Sequence, residues 1–235
     1  MDSAEKETKE IKEIKEQILH VCRRLYEREM VASNDGNVTV RVGEDRIIAT
    51  PSGMSKGFLT ADDLVLADME GNVIEGRDRS ITSEIRIYTR IYRKRPDVKA
   101  AVHAHPLYAT AFAAAGRTVD SDVLPESVLS LGKVPLVPYA TPGTSGLADQ
   151  LEKYLDKHEI FLLANHGALA LGRNVLEAYH RMETLEHTAR IVYLAEPMGG
   201  ALRLAPKQIG GIFEVYGSQA SEVIRQAGRE MSREG

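Results

Sequence analysis

The chain has 235 residues, of which 43% are hydrophobic and 27% are charged, and its formal net charge is −4. These values are typical of a soluble globular protein with a sizeable buried core, and they disfavour a nucleic-acid partner because no face is expected to be strongly basic. The single cysteine, Cys22, excludes an internal disulfide and favours a reducing compartment. No apolar run approaches the roughly 18 residues of a membrane span, and the charged first residues lack the apolar core of a signal peptide. We therefore expect a cytoplasmic protein without a membrane partner.

Hydrophobic periodicity and turn residues predict one α/β domain over residues 11–235, preceded by a frayed or disordered extension over residues 1–10. The predicted elements, in chain order, are a helix over 11–29, a hairpin over 37–50, a glycine-rich loop over 51–63, a hairpin turning at Gly71 and Asn72, a helix from Ser83 to Pro96, a buried strand over 98–105, a helix over 106–116, a helix over 145–158, a central strand over 159–167, a long helix capped by Asn174 and a short C-terminal helix.

Three histidines are candidates for a metal site. His103 and His105 are two residues apart in a predicted strand, so their side chains project from the same face. His166 ends a strongly apolar predicted strand, where an imidazole is costly unless its ring nitrogens have partners. The first pair alone is a weak signal, but three neutral imidazoles with an open fourth position are typical of a catalytic zinc site. By contrast, Glu183 and His187 lie one helical turn apart, which favours a surface ion pair.

Glu84 is a candidate general base. It follows Thr82 and Ser83 at the start of a predicted helix, where a carboxylate can simply complement the helix dipole. The same carboxylate could instead transfer protons beside the metal. The residues alone leave both interpretations open.

Three short segments combine small hydroxyl or amide side chains with backbone N–H groups near a turn or a helix start. They contain Asn37, the loop from Thr50 to Gly53, and Thr82 with Ser83. Backbone N–H groups in such places bind phosphate through oriented dipoles, without cationic side chains. Each segment alone is typical of an ordinary turn, but all three together with a candidate zinc site indicate a phosphorylated small-molecule substrate.

Six stretches, in this order and spacing, resemble a known family. They are GNVTVR, ATPSG, SEIRIYTRIY, VHAHPLYATA, PYATPGT and LLANHGALALG followed by EAYHRMETLEHTARI. They are similar to the class II sugar-phosphate aldolases of the L-fuculose-phosphate aldolase type, from about Ile11 to Gly199. The resemblance implies an α/β single-domain sandwich with a central, mostly antiparallel sheet flanked by helices. It also implies a homotetramer with active sites between subunits.

The resemblance carries roles over to matching positions. His103, His105 and His166 match the ligands of one Zn²⁺ per subunit, for which another divalent metal could substitute. Glu84 matches the acid/base glutamate, which in the resting site can itself lie against the metal. The phosphate-binding positions are matched by Asn37, Thr50, Gly53, Thr82 and Ser83.

The catalytic tyrosines of the family match less well. The C-terminal tyrosine is best matched by Tyr216 in FEVYGS. The second tyrosine, which a neighbouring subunit supplies, has no clear counterpart, and Leu124 or Glu126 lies in the equivalent stretch. This departure leaves the identity of the aldehyde open.

The implied reaction is the reversible cleavage of a ketose 1-phosphate, L-fuculose 1-phosphate or a related deoxy or methylthio pentulose 1-phosphate. The products are dihydroxyacetone phosphate and an aldehyde, formed through an enediolate that zinc stabilises as a Lewis acid. Alternatives on the same scaffold are a pentulose-phosphate 4-epimerase and a sugar-phosphate decarboxylase or dehydratase. Glu84 disfavours the epimerase, which carries an aspartate there, and the retained histidines disfavour a non-catalytic domain like the adducin head.

Overall fold

A computed structural model describes residues 3–76 and 79–233 of the protein. One eight-stranded sheet lies between two layers of helices. The strands are β1 (Asn37–Val42), β2 (Arg46–Ala49), β3 (Val65–Asp68), β4 (Val73–Glu75), β5 (Ala100–Ala104), β6 (Leu136–Val137), β7 (Ile160–Leu163) and β8 (Gly167–Gly172). The α-helices are α1 (Ser3–Glu27), α2 (Ile85–Lys94), α3 (Leu107–Ala114), α4 (Pro125–Leu131), α5 (Ser145–Glu152), α6 (Val175–Ala195), α7 (Pro206–Tyr216) and α8 (Glu222–Met231).

The sheet is antiparallel except at one edge. Its strand order is β4-β3-β2-β1-β5-β8-β7-β6, and only β6 and β7 run parallel among these pairs. β5 lies at the centre between β1 and β8, where Asn37 pairs with His103 and Ala104 pairs with Ala168. This architecture confirms the expected α/β sandwich with a mostly antiparallel sheet.

The two faces of the sheet bury different residues of the same strands. In β5, Ala100 and Val102 belong to the core formed with α1, α3 and α6, whereas Ala101 belongs to the core formed with α2 and α5. This alternation follows from the two-residue period of a strand. It directs His103 toward the α2 side, where Tyr88 is fully buried.

Several elements differ from the sequence-based prediction. The strand predicted over residues 159–167 is β7 alone, since the chain turns at residues 164–166 and returns as β8. The sequence GALALG of β8 is rich in glycine and alanine, which carry little strand preference. Helix α4 was not predicted, and α7 and α8 take the place of one short C-terminal helix.

Helix α1 begins at Ser3, before the Ile11 start that the apolar spacing predicts. Residues 5–10 are helical but all exposed. Fraying of this end in solution stays a prediction. None of the described helices combines the length and apolarity that crossing a membrane would require.

Candidate active site

The sheet brings the three candidate metal ligands together. His103 lies near the end of β5, His105 directly follows that strand, and His166 lies in the turn between β7 and β8. Because β5 pairs with β8, the end of β5 meets this turn. Gly167 permits the close approach, since a Cβ there would lie 2.5 Å from the His105 ring and 2.6 Å from the Ala104 carbonyl oxygen.

The three imidazoles converge on one point. One ring nitrogen from each lies within 4.8 Å of the others. His103 Nδ1 donates a hydrogen bond to the Ala168 carbonyl at 2.8 Å, which leaves the Nε2 lone pair of His103 free. The Nε2 atoms of His103 and His105 are only 3.2 Å apart. Two nitrogens of a tetrahedral zinc site, each at about 2.0–2.1 Å from the metal, would be roughly 3.3 Å apart.

The protonation and burial of these rings also fit a cation. Burial and the charge of His103 lower the pKa of His166 to about 4, and the same two causes lower the pKa of His105. Both rings are therefore neutral at pH 7, the form in which histidine binds metal. In the described part of the chain, the buried Nδ1 atom of His166 has no hydrogen-bond partner. A buried polar atom without a partner is costly, so a divalent metal suits this cluster.

Glu84 lies beside the histidines at the start of α2. Its Oε2 atom is 3.7 Å from His103 Nε2, and its Oε1 atom is 4.0 Å from His166 Nε2. Asn37 Nδ2 donates to Glu84 Oε2 at 2.8 Å. Although burial raises the pKa of Glu84, the histidines and the Asn37 amide outweigh it and hold that pKa below its usual value. Glu84 is thus an ionised carboxylate beside the three histidines. Its contacts with them and with Asn37 go beyond complementing the α2 dipole.

Two loops that carry predicted phosphate-binding residues lie side by side. Ser52 N donates to the Ser80 carbonyl at 2.8 Å, and Pro51 forms a bridge with Ile81. These contacts place the Thr50–Gly53 loop beside the segment that leads into Glu84.

The predicted phosphate-binding side chains differ in their availability. The buried Thr50 hydroxyl accepts from Val38 N at 3.1 Å, and the buried Thr82 hydroxyl accepts from Glu84 N at 3.3 Å. By contrast, Gly53 and Ser83 are exposed. The Asn37 amide is already used by Glu84 and Tyr88, so in this arrangement its side chain is not available for the predicted phosphate contact.

The residues predicted for the aldehyde end lie on or beside α4 and α7. Tyr216 ends α7, which packs mainly against α4 and α8. It is 49% exposed. Among the described residues it forms no hydrogen bond or ring contact with the histidines or Glu84. Leu124 precedes α4, and Glu126 lies in its first turn. Within the described part of one chain, none of these three residues forms a hydrogen bond or ion pair with the histidines or Glu84.

Two further residues that support the site carry no signal in the sequence. Tyr88 donates to Asn37 Oδ1, which fixes the Asn37 amide so that its Nδ2 faces Glu84. Asp35 Oδ2 lies 3.4 Å from His105 Nδ1. In the sequence, Tyr88 belongs to the apolar stripe of a predicted helix and Asp35 to a predicted turn. No local signal distinguishes either residue from an ordinary structural residue.

Comparison with known proteins identifies the class. Residues 16–193 match the family described as class II aldolase and adducin N-terminal domain. The L-fuculose phosphate aldolase of Methanococcus maripaludis is 36% identical over 178 residues, 76% of this chain and 95% of that protein. The 3-oxo-tetronate 4-phosphate decarboxylase of Haemophilus influenzae is 34% identical over 183 residues, 76% of this chain and 86% of that protein.

Solved structures agree with this assignment. An L-fuculose 1-phosphate aldolase superimposes with a TM-score of 0.79 at 31% identity, covering 87% of this chain and 96% of that chain. The protein belongs to the class II aldolase family. It is an enzyme of the lyase class, in a family of metal-dependent aldolases, and the three histidines form a site that can hold the metal.

Proposed function

We propose that the protein is a zinc-dependent aldolase that cleaves a ketose 1-phosphate, L-fuculose 1-phosphate or a close analogue, to dihydroxyacetone phosphate and an aldehyde. The observation that carries this proposal is the Glu84 carboxylate beside three converging imidazoles. The family relatives named as L-fuculose phosphate aldolases support the choice of substrate. We further propose a cytoplasmic homotetramer.

His103, His105 and His166 would hold the metal, with Glu84 able to contribute a fourth donor in the resting site. When bound, a zinc ion would polarise the substrate carbonyl and stabilise negative charge that develops on its oxygen. Neutral nitrogen ligands that leave one position open suit this use of zinc.

Glu84 would move the proton at the carbon whose bond is made or broken. In the condensation direction, its carboxylate accepts a proton from the hydroxymethyl carbon of dihydroxyacetone phosphate and leaves an enediolate. That carbon then bonds to the aldehyde carbon, and the aldehyde oxygen takes a proton from an acid. Cleavage is the reverse, with Glu84 returning the proton to carbon. Asn37 keeps Glu84 in place for both directions, because its Nδ2 donates to the carboxylate.

The acid for the aldehyde oxygen would be Tyr216. Since Tyr216 lies on the surface of α7 and does not contact Glu84 within one chain, this role requires a neighbouring subunit. The exposed Gly53 and Ser83 would bind the phosphate through backbone N–H and hydroxyl groups. Thr50 and Thr82, whose hydroxyls are engaged, would shape the same two loops.

A second candidate is a sugar-phosphate decarboxylase, because relatives named as 3-oxo-tetronate 4-phosphate decarboxylases are nearly as similar as the aldolases. The same metal site and an enediolate would serve that reaction, in which carbon dioxide is lost in place of an aldehyde. Glu84 would then protonate the carbon left by decarboxylation.

Both reactions release dihydroxyacetone phosphate, so the two functions are distinguished by the substrate that is turned over and by the second product, which is an aldehyde or carbon dioxide. The zinc-loaded enzyme is incubated separately with L-fuculose 1-phosphate and with a 3-oxo-tetronate 4-phosphate, and both dihydroxyacetone phosphate and carbon dioxide are measured. We expect dihydroxyacetone phosphate from the first substrate and a much lower kcat/KM for the second. Efficient release of carbon dioxide without turnover of the ketose would replace the aldolase proposal with the decarboxylase.

A further inference from the structure

The Nδ1 atoms of the three histidines have three different environments. The Nδ1 atom of His103 donates to a backbone carbonyl, and the Nδ1 atom of His166 is buried without a partner among the described residues. His105 Nδ1 instead faces a carboxylate, since Asp35 Oδ2 is 3.4 Å away. A carboxylate on the outer nitrogen of a metal-binding histidine fixes its tautomer and its ring orientation.

Asp35 reaches this position from the short loop between α1 and β1. The loop turns sharply, with Ser33 at φ 50° and Gly36 at φ 72°. A Cβ at Gly36 would lie 2.7 Å from the His103 carbonyl oxygen, so glycine is needed for the loop to lie against β5. The Asp35 carboxylate is thereby brought to the Nδ1 side of the His105 ring.

The loop is anchored by a buried ammonium group. Lys56 is 1% exposed, and its Nζ atom donates to the carbonyls of Asn34 at 2.9 Å and Met54 at 2.8 Å. Burial lowers the pKa of Lys56, against the opposing influence of Cys22 and Asp35. Burying an ammonium is costly unless such hydrogen bonds are kept. Lys56 therefore ties the loop that carries Asp35 to the loop that follows β2.

We propose that Asp35 is a positioning residue of the metal site, which accepts the Nδ1 proton of His105 and so directs His105 Nε2 toward the metal. This inference rests on the metal site of the proposed function. Asp35 itself would not touch the metal or the substrate, because its contact is with the outer nitrogen of the ring. Loss of the carboxylate would free the His105 ring to rotate and to change tautomer.

The test compares Asp35→Ala and Asp35→Asn with the unmodified protein by zinc affinity, measured in competition with a chelating dye. We expect Asp35→Ala to weaken zinc binding by about 10–100-fold. Asp35→Asn keeps an acceptor oxygen without the charge, and we expect it to restore part of the loss. In the cobalt-substituted proteins, the visible absorption bands should shift in Asp35→Ala because the His105 ligand is no longer held in one orientation.

The control is Asp62→Ala, which removes an exposed carboxylate from a neighbouring turn and should leave zinc affinity and the cobalt spectrum unchanged. Unchanged affinity and spectrum in Asp35→Ala would overturn the proposal for Asp35 and leave the metal site intact. An unmodified protein that binds neither zinc nor cobalt would overturn the metal site and this inference with it.

Discussion

Replacement of Glu84 by glutamine separates metal binding from proton transfer. The change removes the charge and the proton-accepting ability of a carboxylate whose oxygens lie 3.7 and 4.0 Å from two imidazole nitrogens. All three histidines stay, so the metal should stay. Loss of a positioned acid/base group lowers turnover by about 10²–10⁴-fold, which corresponds to about 3–5 kcal/mol of the activation barrier.

The structural cost of Glu84→Gln should be small. In the unmodified protein, Asn37 Nδ2 lies 2.8 Å from Glu84 Oε2. The side-chain oxygen of the introduced glutamine can still accept this hydrogen bond. The hydrogen bond then joins two neutral groups, so we expect a loss of about 1 kcal/mol in the free energy of unfolding.

Three measurements on Glu84→Gln test these expectations. They are the bound metal by elemental analysis, kcat by release of dihydroxyacetone phosphate, and the free energy of unfolding in urea. Glu44→Gln, in an exposed hairpin turn, is the matched control and should be unaffected. A Glu84→Gln enzyme that turns over within tenfold of the unmodified one would refute the acid/base role. Loss of the metal would show that Glu84 is an essential ligand.

Three further expectations concern the histidine cluster and a separate buried ion pair. His103→Ala should lower the bound metal from about one ion per chain to almost none by elemental analysis, and full retention would mean that the site is wrongly assigned. The metal-free protein should lose stability as the pH falls from 6.5 toward 4, because the unfolded state then binds a proton that His166, with its pKa of about 4, does not. His166 alone accounts for at most about 3 kcal/mol of this loss in urea unfolding. The lowered pKa of His105 adds to it, and a flat profile would contradict the expectation. Arg181 Nη2 is 2.5 Å from Glu159 Oε2, and both side chains are 7% exposed. Glu159 also accepts from Ser221 Oγ at 2.8 Å and lies 3.4 Å from Arg95 Nη2. Arg181→Met should therefore cost about 1–2 kcal/mol of unfolding free energy, less than the roughly 3 kcal/mol of a buried charge left without any partner, and an unchanged stability would contradict this expectation.

The three candidate metal ligands could be selected from the sequence because their signals are local. The spacing of His103 and His105 fixes a shared face of one strand, whatever that strand pairs with. The apolar stretch before His166 marks a buried strand that ends at a polar residue. Their convergence depends on the pairing of β5 with β8, which only the fold shows.

The supporting residues were not predictable, because their partners are distant in sequence. Asn37 and Glu84 are 47 positions apart, and the side chain of Asn37 is shared between Glu84 and Tyr88. The assignment of Asn37 to a phosphate loop rests on its neighbours in the chain and could not include this contact. Tyr216 was selected by a motif match near the C-terminus. Such a match does not show where the side chain lies relative to a site, and within one chain Tyr216 is half-exposed at the end of α7.

The organisation into one domain remains our proposal. Ile18 of α1 and Val192 of α6 belong to the same buried core, and we therefore propose that residues 11–235 unfold as one unit. The charged turns before Ile11, exposed on α1, should exchange their amide protons faster than the rest of the helix.

The most direct test of the central claim is a chelation experiment on the unmodified enzyme with L-fuculose 1-phosphate. Dihydroxyacetone phosphate release is followed before chelation, after removal of the metal, and after zinc is added back. We expect activity to disappear with the metal and to return as zinc approaches one equivalent per chain. Activity that persists without bound metal would contradict a reaction centred on His103, His105 and His166.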